Sequence, residues 1–444
     1  MNRIKYLLII VFSAVALTAC VDDSANNPTF ADDEMPVIHM NWQATLALQS
    51  GDTIFMNPVI SPSDGATYKW MFDGETISTE KDLAYPVSES GEYVLYFEVD
   101  RNGVKNSRTA SVLVTKPFSE KVYNKKSVAF LSVNGTNQDV QWDNITHLIL
   151  TSSQIKADGM PDFSLGGSTL DIPTLISAAH NYGVYVLLEY SGILGSYING
   201  TPVYDSFTFY NTAIDATRRG ALISSMVDFA VENEFDGINI CMDKSTSGTF
   251  GDLDGLKAFY EEMAAAVPEF SSVGKFHLTM SVYSGWTSAA LSGVVNIEGY
   301  DWINVLAYGA EDLTPTPHSA FWYFASESQQ WLDRGVSPDR IVVAAPAFGL
   351  RYFGDVSAYT WGTLYLYTEY MGYRKLCADY SDAPSKNKID VDNGIYYDGL
   401  AEIQAKAEHV LAKDFAGMAL WTIENDSKDA NKSLVKRMNI SLGN

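Results

Sequence analysis

The spacing of hydrophobic residues along the chain changes near residue 120. Upstream, short runs of alternating apolar and polar residues are separated by turn signals such as Gly51-Asp52 and Asp73-Gly74, a pattern typical of antiparallel strands joined by tight turns. We therefore predict a small all-β, immunoglobulin-like sandwich over residues 36–117. Its strand-like runs cover residues 37–42, 53–60, 67–72, 93–99 and 108–115.

Downstream, strand-like apolar runs alternate with segments of helical periodicity. This alternation over residues 120–444 predicts the α/β class and a (β/α)8 TIM barrel. The predicted strands are 127–133, 147–152, 184–190, 235–242, 276–283, 302–308, 340–348 and 415–422. The predicted helices include 172–182, 216–233, 254–267, 319–334 and 399–413.

No helical pattern follows the seventh predicted strand directly. Residues 350–395 are rich in Tyr and Gly and contain strand-like patches, which predicts an inserted lobe on the barrel rim. A last helix is predicted over residues 428–438. Glu424 and Asp426, which follow the eighth predicted strand, are expected to be solvated.

The N-terminus carries the pattern of an export signal. A basic start precedes an apolar run over residues 6–17, which is too short to span a bilayer and is typical of a signal peptide. Residues 17–20 read L-T-A-C and resemble a bacterial lipobox. The resemblance implies removal of residues 1–19 and a lipid anchor on Cys20 in the cell envelope.

Residues 20–35 are polar and acidic and are expected to form a tether. Residues 21–24 read V-D-D-S and resemble the acidic stretch of surface-exposed outer-membrane lipoproteins of Bacteroides-like bacteria. A plain polar linker is the alternative interpretation.

The formal net charge of −24 at pH 7 argues against several kinds of partner. A surface this acidic repels phosphate backbones and anionic lipid, so no nucleic-acid binding is expected and membrane association is expected through the anchor alone. The six scattered His and three Cys show no metal-ligand spacing, so neither a metal nor a cofactor is predicted. Cys241 and Cys377 are expected to be reduced, and the chain to be a monomer.

Within the predicted sandwich, residues 68–74 and 91–93 resemble immunoglobulin-like and PKD-like modules through the sequences Y-K-W-M-F-D-G and G-E-Y. The resemblance implies a core position for Trp70 and a corner position for Tyr93. It also implies a spacer between membrane and barrel, with a binding role as the alternative.

The predicted fourth barrel strand carries the most informative motif, because residues 235–243 read F-D-G-I-N-I-C-M-D. Side chains alternate along a strand, so Asn239, Cys241 and Asp243 are predicted to face the barrel interior and the apolar residues between them the outer helices. Asp243 then lies last, at the C-terminal mouth where barrels of this kind place their chemistry.

This spacing resembles the signature D-G-x-D-x-D-x-E of family 18 glycoside hydrolases, a family of chitinases and endo-β-N-acetylglucosaminidases. Ala307-Tyr308 falls at the family's M-x-Y-D, and residues 340–349 and 417–421 resemble its seventh and eighth strand segments. The resemblance implies that the terminal acid protonates the leaving oxygen and that the preceding Asp orients the substrate acetamide. It also implies that Tyr308 bonds the acetamide and that Trp421 forms the floor under one sugar.

The chain departs from this signature at its acids. Asp243 stands for Glu, Cys241 and Asn239 stand for Asp, and Gly309 takes the place of the acid on the sixth strand. An acid that is one methylene shorter retreats by about 1.5 Å, and a misplacement of about 1 Å can reduce a rate on the order of 100-fold. The resemblance therefore implies a degenerate catalytic motif.

Glu189 belongs to the segment that resembles the family's third-strand S-x-G-G pattern, which reads E-Y-S-G here. It is predicted to face the barrel interior. Two interpretations stay open, a structural ion pair and a carboxylate that restores catalysis by another route.

These observations predict a cell-surface glycan-binding lipoprotein that recognises N-acetylglucosamine-containing glycans near an outer-membrane glycan-import system. The first alternative is an active endo-β-N-acetylglucosaminidase or chitinase that uses Asp243 or Glu189. The second is an adhesion or scaffold protein that has kept the barrel as a frame. The predicted ligand contacts are Tyr308, Trp421, Asn239, Asp243, Tyr283 and Trp286.

Overall fold

The computed structural model describes residues 31, 33–156, 158–162, 170–191, 196–198, 201–203, 206–242, 251–283 and 291–444. Cys20, Asp243 and Trp286 lie outside these residues, so the predictions made for them stay predictions. No helix in the described ranges combines the length and the apolar character needed to cross a membrane.

Antiparallel strands build the N-terminal module, as the alternating pattern predicts. They are β1 (Val37–His39), β2 (Thr45–Gln49), β3 (Thr53–Met56), β4 (Val59–Ser61), β5 (Ala66–Phe72), β6 (Glu75–Ser78), β7 (Leu83–Pro86), β8 (Gly91–Arg101) and β9 (Val104–Thr115). Five of them form a sheet in the order β2-β9-β8-β5-β6, while β1 pairs with β4 and β3 with β7.

Trp70 lies in the core of this module, in the position predicted for it. Its side chain is fully buried, and its ring centroid lies 4.2 Å from that of Phe97. The indole N–H donates to the carbonyl oxygen of Glu80 at 3.1 Å, so burial leaves this polar group paired. The hydroxyl of Tyr93 donates to the carbonyl oxygen of Glu89, the local contact of a tyrosine corner.

Eight parallel strands close into the predicted barrel. The first and the last residue of each strand lie within three residues of the predicted bounds. The first and last of them pair along Lys126↔Gly417 to Ala129↔Leu420, which joins the two ends of the sheet. The barrel strands are β10 (Lys126–Ser132), β11 (His147–Ile155), β13 (Tyr185–Ser191), β16 (Gly237–Cys241), β17 (His277–Val282), β18 (Trp302–Leu306), β19 (Ile341–Pro346) and β24 (Gly417–Trp421).

Shorter strands lie outside the barrel. β12 (Pro161–Asp162) pairs with the end of β11, and β14 (Ser196–Ile198) pairs with β15 (Thr201–Val203). Between β19 and β24 a second sheet has the order β21-β20-β23-β22 and encloses its own small apolar core. We call this region the lobe; its strands are β20 (Phe348–Tyr352), β21 (Thr368–Gly372), β22 (Lys388–Ile389) and β23 (Ile395–Tyr396).

Helices pack against the outer faces of the barrel strands. Ile238, Ile240 and Met242 share one apolar cluster with Leu256 and Phe259 of α4, which confirms the predicted alternation along β16. The helices are α1 (Ile172–Asn181), α2 (Ser206–Ile214), α3 (Arg219–Glu232), α4 (Leu253–Ala266), α5 (Phe321–Asp333), α6 (Tyr373–Asp379), α7 (Leu400–Ala412) and α8 (Leu434–Ser441).

The last helix begins at Leu434, not at the predicted residue 428, because side chains cap its first turn. Ser433 accepts a hydrogen bond from the backbone N–H of Lys436, and the Asp426 carboxylate accepts from the N–H groups of Leu434 and Val435 at 2.8 and 3.0 Å. Such caps satisfy the amide groups that a first helical turn leaves unpaired.

The expectation that Glu424 and Asp426 are solvated is wrong. Asp426 is fully buried and anchors the start of α8. Glu424 is half-buried and accepts a hydrogen bond from the hydroxyl of Ser132 on β10. Both carboxylates therefore hold together segments that lie far apart in the sequence.

Candidate functional site

Four of the predicted residues meet at the C-terminal mouth of the barrel. Cys241, Tyr283, Tyr308 and Trp421 all pack against one interior cluster of buried side chains. Cys241 ends β16, Trp421 ends β24, and the two tyrosines follow the ends of β17 and β18. This end of a parallel barrel is where strands present functional side chains.

Aromatic rings form the floor of this mouth. The ring centroids of Phe130 and Trp421 lie 4.8 Å apart, and those of Trp421 and Tyr308 lie 5.9 Å apart. Trp421 and Tyr308 are half-buried residues, while the hydroxyl oxygen of Tyr308 is itself buried. Aromatic faces at the mouth of a barrel form an apolar platform, which suits a ligand that has C–H faces.

A buried polar layer crosses the barrel one step below the mouth. The Asn239 amide donates to the Glu189 carboxyl at 2.6 Å and to the Ser281 hydroxyl at 2.9 Å. Its carbonyl oxygen accepts from the Thr279 hydroxyl at 2.7 Å and from the Asn304 amide at 3.1 Å. An amide has two donor hydrogens and two lone pairs, so protein groups take the whole hydrogen-bonding capacity of Asn239.

Glu189 is held in this layer as a neutral acid. Its side chain is 1% exposed, and within the described residues its partners are Asn239 and the hydroxyl of Ser281 at 3.3 Å, with no salt bridge. Burial raises the pKa of Glu189 to about 8, and the two hydrogen bonds offset only part of that rise. The interpretation of Glu189 as half of an ion pair is therefore not supported among these residues, and the carboxyl is mostly protonated at pH 7.

Two of the described positions that carry acids in the resembled signature hold Cys241 and Gly309, neither of which is a carboxylate. Cys241 is a buried cysteine. At Gly309 the backbone has φ +85°, and a Cβ added there meets none of the described atoms within 4 Å. Among the described residues, no group of three or more His, Cys, Asp or Glu side chains is arranged to hold a metal ion.

His318, a residue that the sequence patterns did not single out, fixes the loop that follows Tyr308. Its Nδ1 accepts from the backbone N–H of Gly309 at 3.4 Å, and its Nε2 donates to the carbonyl oxygen of Phe348 at 3.3 Å. Both contacts require a neutral ring protonated on Nε2. Burial, aided by the nearby charge of Lys406, lowers the pKa of His318 to about 4. The ring also stacks on Phe348, with centroids 5.0 Å apart.

Comparison with known families agrees with this geometry. The model of glycosyl hydrolases family 18 matches residues 118–426, more than half of the chain. The chain belongs to glycosyl hydrolases family 18. The model of a PKD-like domain matches residues 36–101. Both resemblances predicted from the sequence motifs are thereby confirmed.

One curated relative of this family 18 chain is a chitinase. Chitinase A1 of Niallia circulans is 23% identical over 288 residues, which span 53% of this chain and 40% of that protein. The chain therefore spans less than half the length of that relative.

Solved structures share the family 18 fold. A chitinase from Bacteroides thetaiotaomicron matches with a TM-score of 0.58 and 20% identity, over 73% of this chain and 96% of that one. The GH18 chitinase ChiB from the chitin utilization locus of Flavobacterium johnsoniae matches with a TM-score of 0.56 and 17% identity, over 73% and 94%. At these identities the matches establish the fold.

Proposed function

We propose that this family 18 barrel binds N-acetylglucosamine-containing glycans without hydrolysing them. The observation that carries the proposal is the composition of β16, whose interior positions hold Asn239 and Cys241. An amide already bonded to protein and a cysteine supply no carboxylate to stabilise the positive charge that develops on a reacting sugar, and such electrostatic stabilisation is usually the largest catalytic contribution. The family's chitinase members support the class of ligand.

Glu189 does not replace the missing acids in this proposal. The strand register pairs Ser191 with Cys241 and Glu189 with Asn239, so Glu189 lies one layer deeper than the thiol. A general acid has to come within about 3 Å of the atom it protonates, and the Glu189 carboxyl is engaged with Asn239. Its raised pKa would suit a general acid, and Glu189→Gln tests whether it acts as one.

Affinity is assigned to the mouth of the barrel. The Trp421 ring supplies the platform, and Tyr308 and Tyr283 border the same cluster. Asp243 and Trp286 stay predicted contacts. Asn239 is left out because its amide is fully engaged by protein groups.

The test combines binding and turnover on the purified protein. Calorimetry with chitooligosaccharides of two to six sugars and with N-glycopeptides is expected to detect binding, while mass spectrometry of the same mixtures detects no released product. Trp421→Ala is expected to weaken binding by about tenfold or more. Trp322→Ala is the matched control, since Trp322 is 64% exposed on the outer helix α5.

Two other outcomes would contradict the proposal. Product release that disappears in Asp243→Asn or Glu189→Gln would identify an active hydrolase with altered acids. Absence of binding across a broad glycan array would leave an adhesion or scaffold protein.

We further propose that acylated Cys20 anchors the protein at the outer membrane, exposed on the cell surface beside a glycan-import system. The L-T-A-C motif and the acidic residues after it support this. Cys20→Ala is expected to move the protein out of the membrane fraction, whereas Asp22→Ala with Asp23→Ala should keep the anchor and abolish access of external protease. A Cys20→Ala variant that stays acylated and membrane-bound would contradict the anchor.

A further inference from the structure

A cavity of about 390 Å³ lies at the end of the barrel opposite the mouth. Its position follows from two of its lining residues, because Trp142 precedes the start of β11 and Tyr182 precedes the start of β13. We call it the base cavity; its volume lies in the range of small-molecule sites. Its lining belongs to one compact unit, which comprises residues 45–52, 86–93 and 112–444. The polar and aromatic side chains that line it are Ser90, Glu92, Lys116, Trp142, Asn181 and Tyr182.

Two aromatic rings give the base cavity an apolar surface. The ring centroids of Trp142 and Tyr182 lie 6.3 Å apart, and the ring planes differ by only 20°. Trp142 is half-buried and packs against the main apolar cluster of the barrel, whereas Tyr182 is 46% exposed. The carbonyl oxygen of Trp142 accepts a hydrogen bond from the ammonium group of Lys121 at 2.6 Å, which holds this segment in place. The rings therefore offer a preformed surface to the apolar body of a ligand.

Asn181 fixes the opposite side of the base cavity by joining α1 to the segment that carries Lys116. Its Oδ1 accepts from the backbone N–H of Lys116 at 3.1 Å, and its Nδ2 donates to the carbonyl oxygen of Val114 at 3.3 Å. An amide has two donor hydrogens and two lone pairs. These two contacts use one of each, so the Asn181 amide can also bond a ligand.

The base cavity carries two opposite charges. Glu92 supplies a carboxylate and Lys116 an ammonium group, both on exposed residues. Within the described parts of the chain, neither group takes part in a salt bridge. Single exposed charges are ordinary on a protein surface. What distinguishes these two is that they border one cavity together with a pair of rings, an arrangement that is complementary to a ligand with both charges and an apolar body.

We propose that the base cavity binds a small zwitterion with an aromatic or apolar body, which is the chemistry of an amino acid or a dipeptide. The ammonium group of the ligand lies towards Glu92, its carboxylate towards Lys116, and its body against Trp142 and Tyr182. A zwitterion has no net charge, so it avoids the repulsion that the net charge of −24 exerts on an anion. The inference does not depend on the proposed glycan-binding function, because it concerns the other end of the barrel.

The first test varies the charges of the ligand in calorimetry on the purified protein. L-phenylalanine and the dipeptide L-phenylalanyl-L-alanine are the two zwitterions, and binding of either one supports the proposal. N-acetyl-L-phenylalanine lacks the ammonium group and L-phenylalaninamide lacks the carboxylate. Each is expected to bind about tenfold more weakly than the tighter zwitterion. Blocked compounds that bind as well as the zwitterions would overturn the proposal.

The second test varies the protein. Glu92→Gln and Lys116→Gln are each expected to weaken binding of the tighter zwitterion by about tenfold, and Tyr182→Ala by a similar factor. Glu89→Gln is the matched control, because Glu89 is an exposed carboxylate close to Glu92 in the sequence and is not part of the lining. It should bind as wild type does, and thermal unfolding checks that each variant is folded.

The failures of the two proposals are distinguishable. Wild-type protein that binds neither zwitterion, or variants at Glu92, Lys116 and Tyr182 that all bind as wild type does, would overturn the base cavity as a zwitterion site and leave the glycan-binding function standing. Tyr182→Ala should not change binding of chitohexaose. If it weakens that binding instead, the base cavity takes part of the glycan and the zwitterion is the wrong ligand.

Discussion

Glu189 and Asn239 mark an exchange of polar side chains relative to the family 18 patterns, because the third strand gains an acid and the fourth strand has an amide in place of one. Where the family 18 patterns place a small hydroxyl residue on the third strand and an acid on the fourth, this chain has Glu189 on β13 and Asn239 on β16. Their hydrogen bond of 2.6 Å keeps the two strands connected in the interior. The exchange preserves a polar layer while it removes the acid from the strand that carries the catalytic signature.

The pKa of Glu189 predicts how stability changes with pH. Because the folded-state pKa is raised to about 8, its contribution is fully present below the unfolded value near 4.5 and is lost as pH rises through 8. The free energy of unfolding of wild type should fall relative to Glu189→Gln by roughly 1.4 kcal/mol per pH unit across this window. Urea unfolding at pH 5, 6, 7, 8 and 9 measures the difference.

Glu408→Gln is the control for this series, because Glu408 is exposed on α7. It should follow wild type at every pH. If Glu189→Gln also runs parallel to wild type from pH 5 to 9, the buried carboxyl is ionised in the folded protein and the assignment of a neutral acid is wrong.

At the scale of single elements, one histidine fixes the position of the loop after β18. His318 bridges Gly309 and Phe348 in its neutral form, and its pKa is lowered to about 4. Its contribution to stability is therefore present above the unfolded value near 6.5 and is lost as pH falls from there towards 4, the opposite direction to Glu189. His147 is also fully buried and its pKa is lowered, so its contribution to stability is likewise lost as pH falls.

Substitutions of His318 test both its hydrogen bonds and its effect on the pH dependence of stability. His318→Ala should cost about 1 to 3 kcal/mol at pH 7.5, because the Gly309 N–H and the Phe348 carbonyl lose their partner. His318→Gln, which cannot take up a proton, should show a shallower loss of stability between pH 6.5 and 4 than wild type. Chemical unfolding across this range gives both values, and an unchanged slope in His318→Gln would exclude titration of this residue.

The start of α8 offers a second test at this scale. Asp426→Ala removes the acceptor for the N–H groups of Leu434 and Val435 and should destabilise the protein by about 3 kcal/mol. Asp429→Ala removes an exposed carboxylate from the same segment and should cost less than about 1 kcal/mol. Thermal unfolding compares the two, and equal costs would mean that the buried carboxylate does not hold the helix.

The sequence predicts what depends on local periodicity and misses what depends on distant contacts. All eight barrel strands and the main outer helices follow from their hydrophobic spacing. The Glu424 contact with Ser132 joins residues 292 positions apart, and no local pattern indicates it. Likewise, the motif predicted Tyr308 and Trp421, whereas Phe348 and Tyr370 join them only through the packing of the lobe against the loop after β18.

At the scale of the whole molecule, the net charge of −24 disfavours binding of anionic ligands relative to neutral ones. Binding of a neutral glycan to an aromatic floor involves no release of counterions, so its dissociation constant should change less than about twofold between 50 and 500 mM NaCl. Titrating chitohexaose at both salt concentrations measures this. A steep salt dependence would contradict binding to the aromatic floor alone, because chitohexaose itself carries no charge.

The seam between β10 and β24 has a consequence for synthesis of the protein. β24 completes the hydrogen-bonded ring on both of its sides, with β10 and with β19, although it lies close to the C-terminal end of the described chain. While the nascent polypeptide emerges, seven strands have to wait as an open sheet with two free edges. Translation that stops before residue 417 would therefore leave an open, aggregation-prone sheet of seven strands rather than a smaller barrel.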